Sequence, residues 1–82
     1  MNIRFEKRGN DMSVSYKRLW KLLIDRDMTK TEMRKLSGIS TGALAKLGKN
    51  ESVSMEVLVK ICKALSCDLN DIVELTEEGR DQ

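Results

Sequence analysis

Residues 29–47 read TKTEMRKLSGISTGALAKL. Thr29 stands three residues ahead of Glu32, the spacing at which a capping hydroxyl and a reaching carboxylate satisfy the free N–H groups of a new helix. A helix is therefore expected to start near Lys30. Met33 and Leu36, three apart on one face, carry it to Ser37 and Gly38, where glycine can take the positive φ that ends a helix. That is only about two turns. Ile39 reads as a buried plug, and Ser40 as the cap of a second short helix whose Leu44 and Leu47 again fall three apart. A helix, a tight turn containing glycine and a second helix form a helix-turn-helix unit, whose second helix fits the major groove of DNA.

The polar residues of this stretch carry one sign. Between Met28 and Asn50, Lys30, Arg34, Lys35, Lys46 and Lys49 stand against the single acid Glu32, a balance of +4. Such a surface attracts a phosphate backbone, and the free N–H groups after Thr29 and Ser40 add the positive ends of two helices. The formal net charge of +2 hides the asymmetry: residues 1–50 hold twelve Lys or Arg and five Asp or Glu, and residues 51–82 hold three and eight. The basic half contains the helix-turn-helix.

Eighty-two residues with no proline, five glycines and many Leu, Lys, Met and Glu imply one small domain of helix-forming composition. The expected fold class is all-α. With no histidine and only Cys62 and Cys67, which are not spaced C-x-x-C, a tetrahedral zinc site lacks ligands. The cysteines read as small buried hydrophobes in a reducing cytosol. No acid, base or nucleophile constellation assembles, no Gly-rich phosphate loop follows a strand, and Asp25, Asp27, Asp68 and Asp71 read as surface charges or caps. An enzyme, a cofactor, a metal and a small-molecule ligand are all unexpected. Apolar runs are short and no signal-like segment opens the chain, so a cytoplasmic, nucleoid-associated protein is expected rather than a membrane one.

Residues 1–14, MNIRFEKRGNDMSV, show no helical period and read as a flexible, basic arm, although Ile3 and Phe5 alternate as a strand would if something paired with them. Ser15 is expected to cap a first helix from Tyr16 to Asp27, whose apolar arc of about 200° is wider than one core contact requires. Trp20 and Ile24 lie on its flank, to be covered by the C-terminal part of the chain or by a partner. After the helix-turn-helix, Asn50 suits the left-handed conformation that follows a helix. Ser54 caps a fourth helix, Met55 to Leu65, with Val57 and Val59 flanking its core face. Asp68 is expected to cap a fifth helix, Leu69 to Leu75. Residues 15–75 thus form the domain and residues 76–82 a disordered tail.

Five helices with the second and third forming the turn motif, MTKTEM (28–33), GIS (38–40) and SMEVLVKICKALSCDLNDI (54–72) resemble the Xre family of DNA-binding domains, the Cro and lambda-repressor type. The resemblance spans Tyr16 to Leu75. RLWKLLIDRDM (18–28) and AKLGKNESV (45–53) look more narrowly like the short single-domain regulators of Gram-positive bacteria. By position, the family implies that Thr41, Gly42 and Lys46 face base edges, with Gly42 and Ala45 letting the backbone come close, and that Thr29, Lys30, Ser40, Lys49 and Asn50 meet phosphates. Many members carry Gln where Lys30 stands, and longer or more polar residues where Gly42, Ala43 and Ala45 stand. The first difference favours charge over bidentate readout; the second leaves a recognition helix with few hydrogen-bonding groups. The implied function is a transcriptional regulator reading operator DNA as a homodimer, with Trp20, Ile24, Val57 and Val59 as candidate dimer contacts. The alternative is a protein-interaction or antitoxin-like adaptor on the same fold, with weak DNA binding.

Overall fold

Capping chemistry sets where most of the elements begin and end. In the computed structural model, which describes residues 12–77, the order is β1 (Met12–Ser15), α1 (Lys17–Asp25), α2 (Lys30–Ser37), α3 (Thr41–Gly48), α4 (Met55–Leu65), a 3₁₀ turn (Leu69–Asp71) and β2 (Glu74–Glu77). Three helices start as the sequence implies. Thr29 Oγ1 accepts from Glu32 N–H at 3.0 Å, Ser40 Oγ from Ala43 N–H at 3.0 Å and Ser54 Oγ from Val57 N–H at 3.2 Å, each satisfying a donor that the helix itself leaves free. The first helix differs. Ser15 is paired to Glu74 in the sheet, yet its Oγ still accepts the Lys17 N–H at 3.3 Å; α1 begins at Lys17 rather than Tyr16, whose own side chain makes no cap, and stops at Asp25 rather than Asp27.

Three of the helices also end alike. Asp27, Asn50 and Ser66 take positive φ values of 56°, 58° and 53°. The next residue donates back five positions: Met28 N–H to Leu23 O at 2.9 Å, Glu51 N–H to Lys46 O at 2.9 Å and Cys67 N–H to Cys62 O at 3.0 Å. This is the Schellman pattern, which closes orphan carbonyls at a helix end. Only α2 uses glycine for the purpose, Gly38 at φ 81° with its N–H on Arg34 O.

Every helix contributes to one core: Tyr16, Leu19 and Leu23 from α1 and its start, Met33 from α2, Ile39 from the turn, Leu47 from α3, Ile61 and Leu65 from α4, and Ile72 behind the 3₁₀ turn. α4 makes its main helix contact with α2. Arg26 fastens the end of α1 to the end of α4 by donating to the Leu65 carbonyl.

The fold is mostly helical as expected, but the expected five helices are corrected at the C-terminal end to four and a small two-stranded sheet among the described residues. Asp71 accepts the Asp68 N–H at 2.9 Å, which starts a turn, but the turn runs only three residues before the chain extends into β2. Two causes act together. Val73, just ahead of β2, and Thr76 within it are β-branched and suit an extended backbone, and a partner strand is present. β1 and β2 are antiparallel, pairing Ser13 with Thr76 and Val14 with Leu75, with the Ser13 and Thr76 hydroxyls 3.0 Å apart. Arg18 ties this end to α1 through Glu74 at 2.8 Å and the Asn70 carbonyl at 2.8 Å. Residues 12–14 of the expected arm and 76–77 of the expected tail therefore belong to a sheet. The rest of both segments, including Ile3 and Phe5, lies outside the described residues. Cys62 and Cys67, expected to be buried, are half-buried.

Candidate nucleic-acid interface

The geometry of the two short helices follows from their caps. Thr29 N–H donates to Glu32 Oε1 at 2.8 Å while its own hydroxyl caps the helix, so the start of α2 is closed reciprocally. At its far end the Arg34 guanidinium donates to the Ile39 carbonyl at 3.3 Å and the Ser37 hydroxyl to the Arg34 carbonyl at 3.2 Å. These bonds hold the turn while Ile39 is sunk in the core. α3 leaves the turn with only Leu47 fully buried, and Ala43 and Leu44 half-buried.

The other face of α3 is open. Thr41, Gly42, Ala45 and Lys46 are exposed, as is Lys49 just beyond the helix; their spacing of one, four and five residues places them on one side. All four residues expected at base edges thus share a solvent face, and Lys49 continues it. Thr29, Lys30, Ser40 and Asn50, expected at phosphates, are exposed as well. Ser40, Gly42 and Lys46 also line an open groove with Val53, Ser54 and Val57.

Two contacts were not foreseen. Lys30 Nζ stands 4.2 Å from the centroid of the Trp20 ring, a cation–π distance, so the first residue of α2 leans on α1. Trp20 is also packed against the core, and Lys30 and the α1–α2 connection share a groove with it. Nothing in a helical wheel announces this contact, which crosses between two elements. The second is a clasp from Tyr16. Its N–H donates to Asn50 Oδ1 at 3.2 Å and its hydroxyl to the Glu51 carbonyl at 2.7 Å, pinning the loop that follows α3 to the start of α1. Burial raises the Tyr16 pKa above its usual 10.0, with the Val53 backbone pulling the other way. The bond also fixes the Asn50 side chain, leaving its NH₂ group as the donor for another partner. A tyrosine at the head of an apolar arc was the available signal.

The candidate dimer residues fall on separate grooves. Trp20 and Ile24 line one with Met28 and Lys30, Val57 the one beside α3, and Val59 a third with Cys62 and Leu69. Ile24 is 74% exposed and Val59 41%. Among the described residues no group of three or more His, Cys, Asp or Glu is placed to hold a metal ion, and no helix is long and apolar enough to cross a membrane.

Comparison with known proteins gives the family of this fold. Residues 18–78 match the sequence model of the Cro/C1-type HTH DNA-binding domain. The fold is similar to the crystal structure of the transcriptional regulator VanUg, with a TM-score of 0.81 and 57% sequence identity over 83% of this chain and 91% of that one. No curated protein matches the chain.

Proposed function

Since the chain belongs to the family of Cro/C1-type helix-turn-helix DNA-binding domains, we propose that it is a transcriptional regulator that reads operator DNA sequence-specifically, by laying α3 in the major groove. The observation that carries this reading is the single open face of α3, where Thr41, Gly42, Ala45 and Lys46 stand together with no intramolecular task. Lys46 meets a guanine edge, Thr41 a base or a thymine methyl, and Gly42 and Ala45 keep the helix close to the base pairs. Thr29, Lys30, Ser40, Lys49 and Asn50 fix register on the phosphates. With few hydrogen-bonding side chains on α3, one copy reads few base pairs, so two copies acting on a palindrome supply the discrimination. The protein acts in the cytoplasm, on nucleoid DNA, without cofactor or chemistry.

A second reading, an adaptor or antitoxin-like module that binds another protein and touches DNA weakly, is favoured by the exposure of Ile24 beside Trp20. Selection of bound fragments from genomic DNA, followed by gel shifts in rising salt, separates the two. A regulator enriches one palindromic motif and loses affinity steeply with salt as phosphate contacts release counterions. An adaptor enriches none.

A further inference from the structure

The C-terminal end of α4 differs from the other Schellman ends in what it brings together. In that motif the side chains three positions inside the helix end and just past it come into contact. At the end of α1 they are Leu23 and Met28, which line one groove; at the end of α4 they are Cys62 and Cys67, the only two cysteines of the chain. Ser66 holds the left-handed conformation between them, and Cys67 N–H reaches Cys62 O at 3.0 Å. A disulfide needs Cα atoms about 4.4–6.8 Å apart, and a fold-back closed by this bond is a local geometry that can meet the requirement. Both residues are half-buried and line one open groove with Val59, Lys63, Leu69 and Asp71, so a small oxidant has access. Each thiol is also near enough to affect the titration of the other.

We propose that Cys62 and Cys67 are an oxidisable dithiol that closes to an intramolecular disulfide across the C-terminal cap of α4 when the protein meets a peroxide. One thiolate attacks the O–O bond, which breaks; its sulfur becomes a sulfenic acid and the departing hydroxide takes a proton to become water. The second thiol displaces the sulfenic hydroxyl, again as water, and the S–S bond forms. Two electrons pass from sulfur to oxygen, and both thiol protons end in the two waters. Burial, the other thiol and the carboxylates of Asp68 and Asp71 push Cys62 up to about 11. Cys67 is raised too, chiefly by burial, but the hydrogen bond with Cys62 and, after it, Arg26 act against the rise. The attacking thiolate is therefore scarce at neutral pH, and its share grows about tenfold per pH unit below the pKa.

Full-length protein treated with hydrogen peroxide in mildly alkaline buffer tests the assignment. The thiols titratable in denaturant fall from two to none, intact mass drops by about two units as two hydrogens leave, non-reducing electrophoresis shows a single chain, and dithiothreitol restores both thiols. Oxidation slows as pH is lowered. C62S and C67S, each checked for helical circular dichroism, show no loss of mass under the same treatment. Two thiols persisting in the folded protein, a mass gain from sulfinic acid, or a link formed only between chains overturns the proposal.

Discussion

Lys46 and Lys30 carry the same charge and are both exposed on the helix-turn-helix, yet their positions point to different tasks. Lys46 rises from the open face of α3, so Lys46→Ala is expected to remove preference for one base pair in each half-site, at about 1–3 kcal/mol. Binding assays on single-base operator variants read this directly, and uniform weakening over all sequences would reassign the residue to phosphate. Lys30 opens α2 and rests on Trp20. Lys30→Ala is expected to weaken binding about equally on every sequence and to lower the salt slope by about one unit, one counterion-releasing contact being lost. An unchanged slope would count against this docking. Gly42 separates folding from recognition. A Cβ there meets nothing closer than Ser40 Oγ at 3.8 Å, so Gly42→Ala fits, and removing a helical glycine stabilises by about 0.5–1 kcal/mol. If close approach of the backbone is what Gly42 provides, the same variant melts higher and binds operator more weakly. A variant that melts higher and binds equally well would show that the groove leaves space at this position. The caps and exposed faces behind these arguments were legible from residue type and spacing. The Trp20 and Tyr16 contacts were not, because each joins residues from different elements whose approach only packing decides.

The four helix ends differ in how much of their geometry residue type reveals. Gly38 was readable, since glycine is the residue with no Cβ penalty at positive φ, and it sits at 81°. Asn50 was readable too, because Asn tolerates the left-handed region. Asp27 shares the tolerance of Asn but sat inside the helix expected from the apolar arc, and Ser66 adopts the same conformation without such a signal; there the Schellman bond and the Cys62–Cys67 fold-back impose what local preference does not. A pair of substitutions tests this division. At Gly38 an added Cβ meets nothing within 4 Å, so Gly38→Ala isolates the backbone penalty and is expected to destabilise by about 1–2 kcal/mol. Asp27→Gly relieves the same penalty and is expected to change stability in the opposite direction, by less, since glycine also adds freedom to the unfolded chain. Chemical denaturation of the two variants gives both signs. Two shifts of equal sign would mean that side-chain contacts, and not φ, govern these ends. The missed sheet has a similar origin. Each strand is four residues long, too short for alternation to show, and its partner lies at the other end of the chain. Helical spacing of Leu69, Ile72 and Val73 was a true periodicity, but the paired strand outweighed it.

Taken whole, the chain combines a basic half that carries the helix-turn-helix with an acidic half that carries α4 and β2, which concentrates the attraction for phosphate on the half expected to meet DNA. A two-turn helix with small side chains is expected to read few base pairs, so one copy should bind with low affinity and discrimination, and joining two copies should multiply both through effective concentration. The apolar side chains left outside the core support such a joining. Ile24 is 74% exposed, Val59 41% and Leu75 69%, on a chain whose small core gains from further burial. Trp20, Ile24, Val57 and Val59 line three different grooves, so a two-fold contact is expected to use one of these surfaces rather than all four residues. The expected assembly is a dimer that presents its α3 helices about 34 Å apart, one turn of duplex. Sedimentation at micromolar concentration should give twice the chain mass, and operator affinity should fall sharply when the half-sites are moved apart by half a turn, which places them on opposite sides of the duplex. Ile24→Lys and Val59→Lys identify the surface: whichever disrupts the dimer should also abolish the dependence on spacing, while leaving the helical spectrum and the weak binding of a single half-site intact. A chain that sediments as a monomer, stays one on DNA and is indifferent to spacing would remove the dimer and strengthen the adaptor reading, with Ile24 and its groove as the first place to look for the other protein.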